Sequence, residues 1–233
     1  MNSTVSVLRS SMSNLRIPFI SFLMVLSLVV GVYSPPAANS KVPDPSEQLK
    51  PFIDKIVAIL TDPELQGDEA CAQRRQRVMA AANERFDFFE MSKRVLGTQW
   101  RKLSSADQKQ FVGLFKTLLE HAYIGKIEDY SKQKVVFKDQ LVRNDRAQVE
   151  TDLIDKDVVI PVSYIMILKN NEWMVYDIVV EGVSLVRNYM EQFKEIIRKD
   201  GYPSLLKQMQ DKIKELETSI SKPCPVDVDV KDQ

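Results

Sequence analysis

The stretch 173–197 changes its hydrophobic period halfway, and this change constrains the fold more than any other feature of the sequence. Residues 173–180 place apolar or aromatic side chains on both alternating faces, and a strand of that kind has to be covered on both sides. After Gly182, apolar residues recur at the 3–4 spacing of an amphipathic helix. The stretch therefore predicts a core strand that runs directly into a helix able to fold back over its own sheet. The helical set is Leu185, Val186, Tyr189, Phe193, Ile196 and Ile197.

The residues before this stretch predict helices followed by a meander of strands. We expect helices over 46–62 and 68–85, a short helix ended by Gly97, and a long helix over 105–130. Ser46 is the expected cap of the first helix, and Ser105 with Gln108 forms a capping box for the long one. The expected strands, joined by short Asn- and Asp-containing turns, cover 134–142, 146–154, 158–168 and 172–181.

Two closing helices are expected over 184–199 and 203–219, separated by Gly201 and Pro203. Hairpin connections make the sheet antiparallel, and the order of helices, meander and helices predicts an α+β domain.

The N-terminus has the composition of a signal peptide. Arg9 and Arg16 precede an uncharged apolar run over 17–33, and small residues follow it, ending at Ser40. We expect residues 1–40 to be removed on export, with a retained membrane anchor as the alternative. The mature chain, 41–233, is then a single domain with an irregular tail over 221–233.

Only two cysteines occur in the chain, Cys71 and Cys224. In an exported protein they form either a disulfide that ties the C-terminal tail to an early helix or two independent thiols.

Residue types that carry reactive chemistry are scarce. His121 is the single histidine, and its apolar neighbours in the long helix favour a structural role; no metal site or cofactor is expected. Asp177, the one charge in an apolar strand, could act as the acid or base of a cone-fold isomerase or hydrolase, or could accept hydrogen bonds that organise the strand end. Arg74, Arg75 and Arg77 form either a solvated helix face or a contact for anionic headgroups or an acidic partner.

The formal net charge is zero, which argues against nucleic acid as a partner. The apolar residues are abundant enough for two interpretations: a well-filled core, or a cavity that takes acyl tails or another hydrophobic molecule. An apolar surface that binds a protein partner is a further alternative.

Three segments give the chain a family resemblance: FFEMSKRVLGTQWRKLS, DQKQFVGLFKTLLEHAYIGKIEDY and WMVYDIVVEGVSLVRNYMEQFKEIIRKDGYPSLLKQM. They resemble the toluene-tolerance/MlaC family over roughly residues 45–217. The resemblance implies helices packed on a curved four-stranded antiparallel sheet, cone-shaped and nuclear-transport-factor-like, with an apolar cavity and additional flanking helices.

The resemblance also implies a periplasmic phospholipid carrier rather than an enzyme. Its partners would be an inner-membrane ABC transporter with an MCE-domain protein and an outer-membrane lipoprotein. Some relatives are associated with hopanoids, so a hopanoid or another hydrophobic ligand is the alternative cargo.

Signature residues of the family match at Trp173, Tyr176, Asp177, Gly182, Ser184, Asn188, Tyr189 and Phe193. Among them, Asp177, Gly182 and Ser184 are expected to be structural. The residues expected to line the lipid pocket are Phe86, Phe89, Leu96, Phe111, Phe115, Leu118, Leu119, Ile165, Ile167, Tyr176, Ile178, Val180, Val186, Tyr189 and Phe193.

Overall fold

Helices surround an antiparallel meander in the computed structural model, which describes residues 42–129, 134–156 and 158–220. The helices of this described part are α1 (Pro45–Thr61), α2 (Asp68–Arg85), α3 (Phe88–Leu96), α4 (Ser105–Asp129) and α5 (Leu185–Ile220). Two 3₁₀ turns, Pro63–Leu65 and Gly97–Lys102, join them. The strands are β1 (Lys134–Arg143), β2 (Arg146–Asp155), β3 (Val158–Lys169), β4 (Glu172–Val180) and β5 (Val183–Ser184).

The strands form one antiparallel sheet in the order β1-β2-β3-β4-β5. The α+β class and the meander are confirmed, and the four predicted strands end within one residue of the observed ones. The predicted number of four strands is wrong. Glu181 and Gly182 have φ values of 49° and 80°, which fold the chain back so that Val183 and Ser184 pair with the end of β4. A two-residue strand carries no periodic signal of its own.

Two predicted helix caps are wrong by one or two residues. Asp44, not Ser46, caps α1, because its Oδ1 accepts hydrogen bonds from the backbone N–H groups of Ser46 (2.9 Å) and Glu47 (3.1 Å). At α4 the cap is Ser104, whose Oγ accepts a hydrogen bond from the backbone N–H of Asp107 at 3.2 Å.

The predicted helix breaks are confirmed. Gly97 ends α3 with φ 53°, and Gly201 interrupts α5 with φ 81°. Both glycines adopt the left-handed region, which residues with a Cβ occupy at a cost.

The sheet is covered on both faces, as the apolar pattern of β4 predicts. On one face, called the α1 face, Trp173 and Val175 pack with Leu49 and Ile53 of α1. On the opposite face, called the α5 face, Ile167 and Tyr176 pack with helices α3, α4 and α5.

A buried ion cluster joins α2 to the end of α4. Glu128 accepts hydrogen bonds from Arg74 (3.1 Å) and Arg75 (2.9 Å), and the side chains of Arg74 and Glu128 are only 9% and 10% exposed. Arg74 also donates to the carbonyl of Leu65 at 2.7 Å. The predicted solvated face is therefore wrong for Arg74 and Arg75, while Arg77 remains half-exposed.

Candidate functional site

The α5 face of the sheet and helices α3, α4 and α5 enclose the largest apolar cluster of the described residues, called here the main cluster. It combines side chains from two regions that are far apart in sequence, because α5 folds back over the sheet beside α3 and α4. Its buried members are Met91, Val95, Leu96, Trp100, Phe111, Phe115, Leu118, Leu119, Ile167, Tyr176, Val186, Phe193, Leu205, Met209 and Ile213.

Four aromatic rings form the centre of the main cluster. Phe111 and Phe115 stack with their centroids 5.8 Å apart, and Phe115 meets Tyr189 and Phe193 edge-on at 5.3 and 5.9 Å. Aromatic pairs at these separations are stabilising beyond the area that they bury. The rings hold α4 against the first half of α5.

Most residues predicted to line a lipid pocket come together in the main cluster, and three do not. Phe89 is 50% exposed and touches the main cluster from outside, with its ring edge-on to Trp100 at 5.1 Å; Val180 is 39% exposed, and Ile178 packs in the cluster of the α1 face. Nine belong to the main cluster: Leu96, Phe111, Phe115, Leu118, Leu119, Ile167, Tyr176, Val186 and Phe193. Phe86, Ile165 and Tyr189 pack against it.

Sequence reasoning missed several members of the main cluster. Leu205, Met209 and Ile213 recur every four residues in the second half of α5, a spacing that could have identified them. Trp100 lies in a 3₁₀ turn, where no helical period applies.

A β-bulge explains why Ile178 lies on the other face. Met166 of β3 is opposite Val175, and the next residue back, Ile165, is opposite Asp177, so Tyr176 is the extra residue of β4. The strict alternation expected for β4 is therefore broken at Tyr176. Beyond the bulge, Asp177 shares the α5 face with Ile165, and Ile178 moves to the α1 face.

The bulge brings the Asp177 carboxylate to the start of α5. Its Oδ1 accepts a hydrogen bond from the backbone N–H of Val186 at 2.9 Å, and its Oδ2 accepts one from the Ser184 hydroxyl at 2.5 Å. The Ser184 Oγ in turn accepts a hydrogen bond from the backbone N–H of Arg187 at 3.0 Å. Asp177 is only 9% exposed, and with Ser184 it satisfies N–H groups that the first turn of a helix leaves unpaired. This geometry fits an organiser of the junction between strand and helix.

Two guanidinium groups flank the ring of Tyr176. The Cζ atom of Arg94 lies 4.0 Å from the ring centroid, and that of Arg146 lies 5.5 Å away. Both distances are within the range of cation–π attraction. The apolar cluster therefore has a cationic border at Tyr176.

Three partly buried tyrosines, Tyr123, Tyr189 and Tyr202, pack against the main cluster. Burial raises the pKa of Tyr189 well above its usual range, with a further contribution from its neighbour Tyr123, and burial also raises the pKa of Tyr123. Burial raises the pKa of Tyr202 to about 12. These groups stay neutral at physiological pH, so they leave the cluster uncharged.

The other predicted candidates lie away from the main cluster or outside the described residues. His121 is half-buried on α4 with its Nδ1 2.8 Å from the carbonyl oxygen of Thr117. Cys71 is buried on α2, whereas Cys224 lies outside the described residues, as do residues 1–40 and the tail 221–233, so the disulfide stays a prediction. Within 42–129, 134–156 and 158–220, no group of three or more His, Cys, Asp or Glu side chains is arranged to hold a metal ion.

Two open depressions lie at the molecular surface. One, of about 370 Å³, lies between α1 and α2, and the other, of about 420 Å³, lies between α4 and the second half of α5. Neither is lined by residues predicted to bind lipid, so the expected cavity stays a prediction. Among the helices of the described part, none has both the length and the apolar content needed to cross a membrane.

Comparison with known proteins places the chain in a family. The model of the MlaC protein family matches residues 50–211. The intermembrane phospholipid transport system binding protein MlaC of Haemophilus influenzae is 29% identical over 123 residues, which cover 50% of this chain and 58% of that protein. The chain thus matches less than two thirds of the length of this relative.

A solved structure has the same fold. It is a phospholipid-binding protein from Ralstonia solanacearum in complex with a phospholipid, with a TM-score of 0.68 and 24% sequence identity. The match covers 75% of this chain and 99% of the solved one. The family model spans most of the described residues, including α3, α4, the whole sheet and most of α5. The chain belongs to the MlaC family.

Proposed function

We propose that this protein is a periplasmic carrier that binds the acyl tails of a phospholipid and moves the lipid between the inner and outer membranes. Membership of the MlaC family is the observation that carries the proposal. Two relatives support it: one is described as a binding protein of an intermembrane phospholipid transport system, and the other was solved with a phospholipid. The proposal includes export, with cleavage of the signal peptide near Ser40.

The main cluster is the proposed tail-binding region. Each CH₂ group removed from water is worth about 0.8 kcal/mol, so an apolar wall can hold acyl chains without a charged clamp. The proposed contacts are the twelve predicted residues that lie in or pack against the main cluster. The cone-like cavity would open by movement of the helices around them, because a carrier also has to release its cargo.

Gly201 is the proposed pivot of that movement. It separates the two halves of α5, both of which contribute to the main cluster through Phe193 and Leu205. A displacement of one half relative to the other would admit a tail between α5 and the sheet.

The proposed partners are an inner-membrane ABC transporter with an MCE-domain protein and an outer-membrane lipoprotein. The carrier is proposed to have no catalytic role. Both carboxylate oxygens of Asp177 already accept hydrogen bonds from Ser184 and Val186, which supports a structural role for this residue instead of proton transfer.

The test is native mass spectrometry of the full chain expressed in a Gram-negative host and purified from its periplasm. We expect co-purified phospholipid, identified by extraction and fragmentation. A protein that carries a hopanoid or another hydrophobic molecule would contradict the phospholipid assignment. An empty protein that takes up no phospholipid from vesicles would contradict the carrier function.

A matched pair of variants locates the binding region. Ile165 and Ile178 are both half-buried on neighbouring strands, but they lie on opposite faces of the sheet. Ile165→Glu should strongly reduce the amount of bound lipid, because it places a charge against the main cluster. Ile178→Glu should leave the amount of bound lipid unchanged. Circular dichroism shows whether each variant is folded, and lipid content is compared for the folded protein only. Equal lipid content in the two variants would contradict the proposed location.

A further inference from the structure

Arginine side chains lie at the border of the main cluster, and the binding of apolar acyl tails does not explain why charged side chains are placed there. Arg94 comes from α3 and Arg146 from the start of β2, and both lie over the ring of Tyr176. Arg143 of β1 is directly opposite Arg146 in the sheet. Like charges opposite each other on neighbouring strands are unfavourable, and the exposed Arg143 adds to the positive charge at this border.

The carboxylates around these arginines compensate only part of the charge. Glu90 is buried and forms an ion pair with Arg94 at 2.9 Å, but it also accepts a hydrogen bond from Lys93 at 3.5 Å. Asp145 is 3.7 Å from the Nε of Arg146, beyond hydrogen-bonding distance. The four cationic side chains therefore outnumber the two carboxylates, and the net charge of this border is positive.

Two guanidinium nitrogens of these arginines have no hydrogen-bond acceptor. The Nε of Arg94 and the Nη1 of Arg146 are shielded from solvent and lack a hydrogen-bond partner in the described part of the chain. Buried donors on a charged group are costly when they are unpaired, and native proteins rarely leave them so. Both donors belong to side chains that contact the same tyrosine ring, so the unpaired donors gather at one place on the border of the main cluster.

We propose that Arg94 and Arg146, whose guanidinium groups both lie against the ring of Tyr176 and whose side chains are 35% and 40% exposed, bind a phosphate group. A phosphate offers several anionic oxygens, and the guanidinium fork matches their geometry better than an ammonium group does. The proposal rests on the proposed carrier function for the source of the phosphate. Tyr176 belongs to the main cluster, and Arg146 is opposite Ile167 of the same cluster, so a lipid with its tails in the cluster brings its headgroup phosphate to this border. Free inorganic phosphate has the same chemistry, and the experiment separates the two sources.

The experiment measures binding of three probes to the full mature chain by isothermal titration calorimetry. Dioctanoylphosphatidylglycerol and dioctanoylglycerol have the same tails and differ in the phosphate-containing headgroup, and inorganic phosphate has no tails. The test variant is Arg94→Gln with Arg146→Gln, and the matched control is Arg101→Gln with Arg187→Gln, which changes two exposed arginines.

We expect the double variant to bind dioctanoylphosphatidylglycerol about ten-fold more weakly than wild type, as expected for the loss of charge-assisted hydrogen bonds. Its affinity for dioctanoylglycerol should stay unchanged, and the control should bind all probes as wild type does. Loss of inorganic phosphate binding in the double variant, without an effect on either lipid, would support the phosphate site and assign it to the free anion.

The two proposals fail in different ways. If the double variant binds the phospholipid and inorganic phosphate as wild type does, the phosphate site is refuted while the carrier function stands. If wild type binds inorganic phosphate through these arginines but neither lipid, the carrier function falls and the site remains.

A second variant keeps the test decisive if the double Gln variant does not fold. Arg94→Lys with Arg146→Lys preserves both positive charges but removes the planar, forked arrangement of the guanidinium N–H donors. This double variant should bind the phospholipid about three-fold more weakly than wild type. The ³¹P resonance of the bound phospholipid should differ between wild type and this Lys variant. Identical ³¹P shifts and affinities would overturn the proposal.

Discussion

Removal of the Asp177 carboxylate should uncouple β4 from α5 and destabilise the fold strongly. In Asp177→Ala, the backbone N–H of Val186, which is buried, and the hydroxyl of Ser184 lose their acceptor. Each hydrogen bond to a charged group is worth about 1.5–3 kcal/mol, so the two bonds predict a loss of about 3–6 kcal/mol in the free energy of unfolding. For a domain of this size, at about 2–4 °C per kcal/mol, that corresponds to a fall in Tm of about 6–24 °C.

The assay is equilibrium unfolding in urea, followed by tryptophan fluorescence and far-UV circular dichroism. Asp177→Asn retains one oxygen acceptor without the charge and should lose about half as much stability as Asp177→Ala. Asp54→Ala is the control, since Asp54 is exposed on α1, and it should change the free energy of unfolding by less than about 0.5 kcal/mol. If Asp177→Ala is no more destabilising than Asp54→Ala, the assignment of Asp177 as the organiser of this junction is refuted.

Three further predictions test the buried ion cluster, the break in α5 and the effect of alkaline pH. Glu128→Ala removes the carboxylate from two nearly buried guanidinium groups and should lower the free energy of unfolding in urea by about 3–5 kcal/mol. The control, Glu84→Ala, removes an exposed ion pair and should lower it by less than about 1 kcal/mol. Equal losses in the two variants would contradict the buried ion cluster. Gly201→Ala should destabilise the protein by about 1–2 kcal/mol, because the φ of Gly201 is 81°. Gly113→Ala should stabilise it by up to about 1 kcal/mol, because Gly113 lies in the regular helix α4 and no neighbouring atom lies near its Cβ position. If thermal unfolding shows a stability change of the same sign for both variants, the left-handed break at Gly201 is contradicted. Burial raises the pKa of Tyr164 to about 12, above its usual value of 10.0, so the folded state favours the neutral phenol; the stabilisation is full below pH 10 and is lost as pH rises toward 12. Urea unfolding between pH 9 and 12 should show a steeper fall for wild type than for Tyr164→Phe, and parallel curves would refute the contribution.

Local signals in the sequence were sufficient for the main helices and the four long strands, but not for β5. The strands were predictable because short Asn- and Asp-containing turns separate runs of apolar residues, and positive φ at Asn144, Asn170 and Asn171 matches that turn chemistry. Gly97 and Gly201 marked helix breaks because the required φ values are accessible to glycine at low cost. Caps were less predictable, since Asp44 and Ser104 stand beside other residues that are equally suited to capping.

The faces of the sheet were only partly predictable, and the physical reason is the bulge at Tyr176. A period of two assigns each strand residue to a face only while the ladder is unbroken, and one extra residue reverses the assignment for everything beyond it. Ile178 was therefore placed with Tyr176 and lies on the opposite face. The pattern also could not distinguish Phe89, which is half-exposed, from the buried aromatic residues around it.

Arginine side chains show the same division between local pattern and long-range pairing. Arg74 and Arg75 read as a polar helix face, because their acceptor, Glu128, is more than fifty residues away in sequence. Likewise, no local pattern links Arg94, Arg146 and Tyr176, which belong to three different elements.

The sequence by itself determined the order of elements, the antiparallel meander, the strand-to-helix stretch after β4 and membership of the MlaC family, because each depends on local period, turn chemistry or motif. Only the tertiary structure decided which apolar residues form the main cluster, which face Asp177 and Ile178 occupy, and which arginines meet at Tyr176. Those outcomes depend on the register of β3 with β4 and on the packing of α5 over the sheet. Both are long-range interactions, and no local sequence pattern indicates which residues of the two segments meet.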